Sequence, residues 1–544
     1  MNSPSPTSNP SLPVYFSRTR PKRGQKGRPF VHISPSSNDW DDYGLQIRAD
    51  FHVWNGTNLL SLPALVGFYG KDAAQKNGRT RLIQLVESSS ELLPAENFKY
   101  FAMLPGMEYY RELVGHFGPK FVKKALLAAR DLACWYHFKP NSSWLREAMK
   151  EDAFNISFMR DSESHFALYN AGHVIRGLNH ELVTKPATSW HLTFKIANSL
   201  NSHSIKLRFD HSDVLPRRIS IVIGKNGVGK SQALHNIARS LLTSGKALLD
   251  EAGARPQVSR LIAFSPSGEA ASSFPKENGN YNTWYRKYSL NRSSHQPRDR
   301  RPSEVIIRLA SSDKNIAGET RLNLFKSSLQ ALTEHEQLGV RVHSGDPIPL
   351  SELRAGTTMH NLKRLSRIDR AAAPVRVING KSLPLSSGEV SFITFSAQLC
   401  ECVENGSLIL LDEPETHLHP NLISSFCALL ERTLRLTGSS AIIATHSAYF
   451  VREVFREQVI VINRTNGLTE ITKPRLRTFG ADVGAISRFV FGEEDESKLA
   501  IQLKARILSQ GSSWKKIYEA YKDELSIELL GAIRDEFEEK GEKL

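Results

Sequence analysis

The chain has 544 residues, 40% of them apolar and 23% charged, a length that calls for roughly two or three globular units and a composition that can bury a sizeable core. No apolar run reaches the roughly eighteen residues a membrane helix needs, and no basic-then-apolar leader opens the sequence, so neither a membrane span nor a secretory signal is expected. A formal net charge of +15 favours polyanionic partners, and four cysteines, of which only Cys400 and Cys402 are close, fit a reduced cytosolic chain better than a disulfide framework or a metal site.

Residues 1–44 are rich in Ser, Pro, Asn and Arg, and Arg18, Arg20, Lys22, Arg23, Lys26 and Arg28 carry no acid among them. They are expected to form a disordered basic tail. Residues 45–185 have a globular pattern, with a helix predicted over Lys120–His137 where Phe121, Ala125, Leu126, Leu132 and Trp135 recur at helical spacing. No chemistry attaches to this segment. His191–Ile196 and Ser204–Phe209 alternate as half-buried antiparallel strands do, and Ile219–Ile223 is a short β-branched run ending at Gly224, as a buried central strand would. Gln232–Leu242 reads as a helix with Leu234, Ile237, Leu241 and Leu242 inward, and Arg260–Phe264 and Glu304–Leu309 as further strands.

The polar stretch Ser265–Pro302 reads as an insertion or exposed subdomain. Its Arg286, Lys287, Arg292, Arg298, Arg300 and Arg301 lie near Tyr281, Trp284, Tyr285 and Tyr288. That mixture suits phosphate backbones and unstacked bases; the alternative is a solvated loop whose rings pack against the core. No sustained heptads occur, so long coiled-coil arms are not expected.

Four short motifs carry chemistry. Gly224–Ser231, GKNGVGKS, fits G-x-x-x-x-G-K-[ST] through Gly224, Gly229, Lys230 and Ser231. The glycines let backbone N–H groups close on a β-phosphate, Lys230 neutralises β/γ charge and the Ser231 hydroxyl suits Mg²⁺. Asn226, Gly227, Val228 and Gln232 complete the candidate nucleotide-binding set. The apolar run Leu408–Leu411 ends in Asp412 and Glu413, a metal-holding carboxylate followed by a candidate general base. His446, after the apolar strand Ala441–Ala444, is placed to sense a third phosphate. Ser386, Ser387 and Gly388 in LSSGE form a second phosphate-binding turn ahead of a helix beginning near Val390.

In this order the motifs resemble those of ABC ATPases, and DEPETHLHP, Asp412–Pro420, resembles the SMC-like and OLD-like branch rather than transporter subunits. The resemblance spans about residues 190–265 and 380–475. It implies an α/β fold: an ABC-type P-loop head with a mixed sheet around the P-loop helix, an antiparallel β subdomain and a helical lobe, carrying N-terminal and internal insertions. The head would comprise residues 186–265 and 380–475, the insertion and helical lobe 266–379, and a C-terminal helical tail 476–544.

It also implies ATP and Mg²⁺ as cofactors, catalytic roles for Glu413 and His446, Mg²⁺ held by Ser231 and Asp412, and a head-to-tail homodimer in which the Ser386 turn closes on the other subunit's nucleotide. A Q-loop glutamine and an adenine-stacking aromatic are not identifiable. Within the branch, Thr478–Gly492, TFGADVGAISRFVFG, and the modest length resemble the PtuA-like ATPases of Septu-type and retron-associated anti-phage systems. There a separate HNH nuclease docks on the ATPase, and regulation of such an effector is the implied role. A DNA-repair or DNA-clamping ATPase and a slow-turnover, ATP-stabilised scaffold are the alternatives.

Overall fold

The computed structural model describes residues 12–18, 21, 27–37, 45–73, 78–87, 92–159, 161–177, 189–196, 201–209, 218–243, 245–266, 274–277, 279, 281, 283–290, 297–312, 314–316, 318–356, 358–418, 420–465, 468–491, 498–509 and 513–539. An N-terminal unit is built on a six-stranded sheet of β1 (Val14–Phe16), β2 (Phe30–Pro35), β3 (Arg48–Trp54), β4 (Leu59–Phe68), β5 (Leu93–Pro94) and β6 (Tyr100–Met103), in the order β5-β1-β2-β3-β4-β6. Its helices are α1 (Gly78–Glu87), α2 (Met107–Phe117), α3 (Pro119–Ala128), α4 (Leu132–Phe138), α5 (Ser143–Ala148) and α6 (Ser162–Ile175).

Two expectations fail here. The basic tail is not structureless throughout, because Phe16, Val31 and Ile33 are fully buried in β1 and β2 and give those strands a core to join. Arg20, Lys22, Arg23 and Lys26 lie outside the described residues. The helix read over Lys120–His137 is two helices. Arg130 turns to φ +53, and Asp131 caps α4 by accepting from the Cys134 N–H at 2.8 Å. An Asp in mid-pattern is an N-cap signal that apolar spacing alone overlooks.

The head follows. β7 (Ser189–Phe194), β8 (His203–Arg208) and β10 (Leu248–Asp250) form an antiparallel sheet over α7 (Lys230–Leu242). On the other side of α7 lies a seven-stranded sheet containing β9 (Ile219–Ile223), β11 (Arg260–Ser265) and β12 (Trp284–Ser289) with four later strands: β19 (Leu408–Asp412), β20 (Ser440–Thr445), β21 (Val459–Thr465) and β22 (Leu468–Thr472). Its order is β12-β11-β19-β20-β9-β21-β22, and only the β21–β22 pair is antiparallel. β9 and β19 are buried along their whole length, as central parallel strands covered on both faces must be. α7 turns Leu234, Ile237, Leu241 and Leu242 inward as its periodicity predicts.

A lobe between β12 and β19 holds α8 (Pro302–Ala310), the short strands β13 (Asn315–Ile316) and β14 (Glu319–Thr320), α9 (Arg321–Ser328), α10 (Met359–Leu365) and α11 (Ser387–Cys402). It also holds a four-stranded sheet, β15 (Leu338–Val340), β16 (Ile348–Pro349), β17 (Val375–Ile378) and β18 (Lys381–Pro384). The predicted strand Glu304–Leu309 is therefore a helix. Pro302 stands in its first turn, Glu304 faces the dipole, and Val305, Ile306, Leu309 and Ala310 are buried. A short apolar run does not distinguish a buried strand from a buried helix, and here the proline is the signal that decides.

The stretch read as an exposed insertion instead adds the parallel edge strand β12 to the main sheet. α12 (Pro420–Thr437) and α13 (Ala448–Val451) complete the head. α14 (Val483–Phe491), α15 (Lys498–Ser509), α16 (Trp514–Tyr521) and α17 (Ile527–Glu539) make the C-terminal helices. The last three share a small core of Ile507, Ile517, Ile533 and Phe537.

The N-terminal unit meets the head through a buried seam. Arg111 of α2 pairs with Glu404, just beyond α11, and Glu404 also receives Arg321 of α9 at 3.2 Å. Glu163 of α6 pairs with Arg260 of β11 at 2.5 Å. Phe166 packs so closely on Gly406, at φ +71, that a Cβ there would lie 2.4 Å from the ring. Arg321 Nη1 donates to the carbonyls of Cys400, Glu401 and Val403 at 3.0, 3.2 and 2.6 Å, and Arg260 Nη1 to Cys402 at 3.1 Å. These are the orphan carbonyls at the end of α11, where cations also suit the helix dipole. Burial alone would raise the Glu404 pKa; Arg111, Arg321 and Arg260 overturn that and hold it down to about 2. Among the described residues no helix is long and apolar enough to cross a membrane.

Candidate functional site

β9, β20 and β19 are adjacent and parallel, with Ala444 opposite both Asp412 and Val222. Their carboxyl ends therefore open side by side, where open α/β sheets place their ligands. The loop from β9 to α7 begins at Gly224, whose absent Cβ would sit 2.2 Å from the Ile462 carbonyl. It ends at Gly229, with φ +109 and Ile196 2.8 Å from where a Cβ would be. Neither position accepts a side chain. Val228 is buried and anchors the loop, while Asn226, Gly227 and Gln232 face solvent. The loop thus runs straight into the N-terminus of a thirteen-residue helix, where free N–H groups and the dipole favour an anion.

Lys230 is buried at 4% exposure, donates to the carbonyls of Gly224 and Lys225 at 3.1 Å each, and stands 3.6 Å from Glu413 Oε1. Ser231 Oγ donates to Asp412 Oδ1 at 3.0 Å. Two adjacent oxygen ligands of an octahedral Mg²⁺ at its usual bond length are about 2.9 Å apart, so this hydroxyl–carboxylate pair fits the ion.

Glu413 is held in the left-handed region at φ +44, which costs a non-glycine residue about 1–2 kcal/mol. Its N–H donates to the Ala444 carbonyl at 2.8 Å, and its own carbonyl accepts from Thr416 N and Oγ1 at 3.2 and 2.9 Å. This bracing turns the chain sharply between two successive carboxylates, with Asp412 buried and Glu413 half-exposed. His446 is exposed, with Nδ1 3.9 Å from Glu413 and 3.1 Å from Glu415. The residue Glu415 is partly exposed, but only 8% of its side chain is. The motif reading included it in Asp412–Pro420 as part of a loop and gave it no role, since nothing in its spacing separates it from a turn residue.

The LSSGE turn heads α11 through a capping box. Ser386 Oγ accepts from the Glu389 N–H at 3.3 Å and Glu389 Oε2 accepts from the Ser386 N–H at 2.8 Å. The Glu389 carboxyl, which burial alone would raise, is held below its usual range by Ser386 and by Arg376. Ser386 is exposed and Ser387 and Gly388 partly so; among the described residues this turn shares no hydrogen bond with the phosphate loop of its own chain.

Phe264 pairs with Leu411, so Ser265 comes level with Asp412, and its hydroxyl is buried without a hydrogen-bond partner among the described residues. The basic–aromatic segment is largely engaged within the chain. Tyr288 is buried and stacks on Phe264, Trp284 lies under Arg260, and Arg300 pairs with Glu277 at 2.5 Å. Arg292 lies outside the described residues.

Residues 275–452 match a family model described as AAA domain, putative AbiEii toxin, Type IV TA system. The chain is 23% identical to Protein ea59 of Escherichia phage lambda over 530 residues, covering 90% of this chain and 92% of that protein. Among solved structures it is similar to an SMC head bound to the C-winged helix domain of ScpA (11% identity, 53% of this chain and 97% of that one, TM-score 0.28). Another is cbiO1 of Clostridium perfringens, part of the ABC transporter complex cbiONQ (16% identity, 59% and 96%, TM-score 0.27). Phosphate loop, strand order and the Ser231–Asp412 pair together give this chain the fold of an ABC-type P-loop ATPase head, with a pocket whose residues suit ATP and Mg²⁺.

Proposed function

We propose that the chain hydrolyses ATP as a head-to-tail homodimer and that the nucleotide state governs a separate HNH-type nuclease in an anti-phage complex. The observation that carries the hydrolytic part is the meeting of Lys230, Ser231, Asp412, Glu413 and His446 at one sheet edge. In this reading the N–H groups of Gly227–Ser231 and Lys230 bind the β- and γ-phosphates, and Ser231 and Asp412 would hold Mg²⁺, which supplies charge neutralisation when bound. Glu413 orients the attacking water and takes its proton, and His446 contacts the γ-phosphate. The dimer is supported by the solvent-facing Ser386 turn at the N-terminus of α11, which among the described residues shares no hydrogen bond with the phosphate loop of its own chain. The nuclease and defence parts rest on the resemblance of the motifs. Any nucleic acid met by residues 281–301 would find Tyr288 and Trp284 engaged internally and so would be held mainly through charge or through Tyr281 and Tyr285.

Ser386→Arg tests the dimer. Nucleotide affinity per chain should stay within about twofold, while the bulky cation blocks closure and turnover falls by about 10²-fold, the cost of losing preorganised contacts to a transferring phosphoryl group. Undiminished turnover, with the same mass by light scattering with and without ATP, would remove the trans arrangement. Co-purification from the host followed by mass spectrometry is expected to return an HNH-type nuclease. Recovery of the ATPase alone would leave a stand-alone enzyme.

A further inference from the structure

One carboxylate ties together the two loops that carry the candidate base and the candidate switch histidine. Glu415 Oε1 accepts from Thr445 Oγ1 at 2.5 Å and from the His446 N–H at 2.8 Å, and lies 3.1 Å from His446 Nδ1. Thr445 Oγ1 in turn accepts from the Ser447 N–H at 2.9 Å. Glu415 Oε2 is buried with no hydrogen-bond partner among the described residues. A carboxylate without a proton only accepts, so Oε1 at 3.1 Å favours a proton on Nδ1 of the ring, and an imidazole with that single proton keeps its lone pair on Nε2. The same nitrogen is 3.9 Å from Glu413, within reach of the candidate base were Glu415 not holding it.

We propose that Glu415 is a positioning residue for ATP hydrolysis. It fixes His446 as the Nδ1–H tautomer, directs Nε2 to the nucleotide side, and keeps the imidazole off Glu413 so that the base remains available to water. This rests on the ATPase reading above. It assigns Glu415 no contact with substrate; it acts through His446 and Glu413, as groups that orient a catalytic imidazole commonly do.

The test compares Glu415→Ala, Glu415→Gln and His446→Ala in the full chain. Glu415→Ala should lower kcat by about 10–100-fold, the usual cost of removing an orienting partner, with ATP affinity within about threefold. Glu415→Gln keeps an acceptor oxygen in place and should recover most of kcat. Glu415→Ala in a His446→Ala background should cost several-fold less than in the native chain. Independently of activity, long-range proton–nitrogen NMR of histidine-labelled protein without nucleotide should show His446 as the Nδ1–H tautomer in the native chain and in Glu415→Gln, and a tautomer mixture in Glu415→Ala. An unchanged kcat in Glu415→Ala, a Glu415→Gln as impaired as the alanine variant, or an Nε2–H tautomer in the native chain would each overturn the proposal. Should Glu415→Ala fail to fold, the glutamine variant and the native spectrum still decide. A native chain that neither binds nor hydrolyses ATP would instead sink the ATPase reading, a result distinguishable from all of these.

Discussion

Glu413→Gln should lose ATP turnover by about 10²–10⁴-fold, the range general-base catalysis supplies, while binding ATP at least as tightly as the native chain. The exchange is close to isosteric, and glutamine meets the same backbone cost at φ +44 as glutamate, so the braced turn should persist. What disappears is the capacity to take a proton from water, together with the 3.6 Å pairing of Glu413 with Lys230, which frees the lysine for phosphate. Single-turnover hydrolysis and equilibrium nucleotide binding, measured side by side, separate the two effects. Lys230→Ala gives the contrast, since binding itself should fail. Turnover at the native rate in Glu413→Gln would remove this residue from the base role.

The second large effect concerns stability. Glu404→Ala should destabilise the chain by about 3–5 kcal/mol, because it strands buried arginines that no longer have their shared carboxylate. Arg111 and Arg321 are both paired to it, with side-chain exposures of 10% and 8%. Urea unfolding followed by far-UV circular dichroism measures the change, and a loss below about 1 kcal/mol would show that the seam tolerates the open charge.

The pH dependence has a definite sign. The Glu404 pKa is lower in the folded chain, about 2 against an ordinary 4.5, so its stabilisation is complete above the unfolded value and drains away as pH falls from about 4.5 towards 2. Glu404→Gln removes that slope. The native-minus-variant stability difference should therefore shrink across this interval and stay flat above it.

Much of the site is legible in the sequence because its chemistry is local. Gly224, Gly229, Lys230 and Ser231 follow one another on a loop whose flanking strand and helix have clear periodicity, and Asp412 and Glu413 close a short apolar run that the order of the motifs marks as a central strand. Glu415 was not legible, since its role comes from parallel pairing of β19 with β20 across about thirty residues of chain. The same limit hid Ser265, which only the β11–β19 register brings level with Asp412. Fold errors have local causes too: Asp131 and Pro302 are end signals standing inside apolar patterns, and the buried positions of β1 and β2 are diluted by the polar residues around them.

The seam between the N-terminal unit and the head has a practical corollary for anyone dissecting this chain. A fragment starting near Ser189 would keep every phosphate-binding side chain, yet Arg260 would lose Glu163, Glu404 would lose Arg111, and Gly406 would lose the ring of Phe166. The end of α11 would then be wetted on the face where Arg321 and Arg260 now cap its carbonyls. The head is therefore not expected to behave as an excisable cassette, and a polypeptide cut there should inherit an exposed wound at the far end of the helix whose tip carries Ser386.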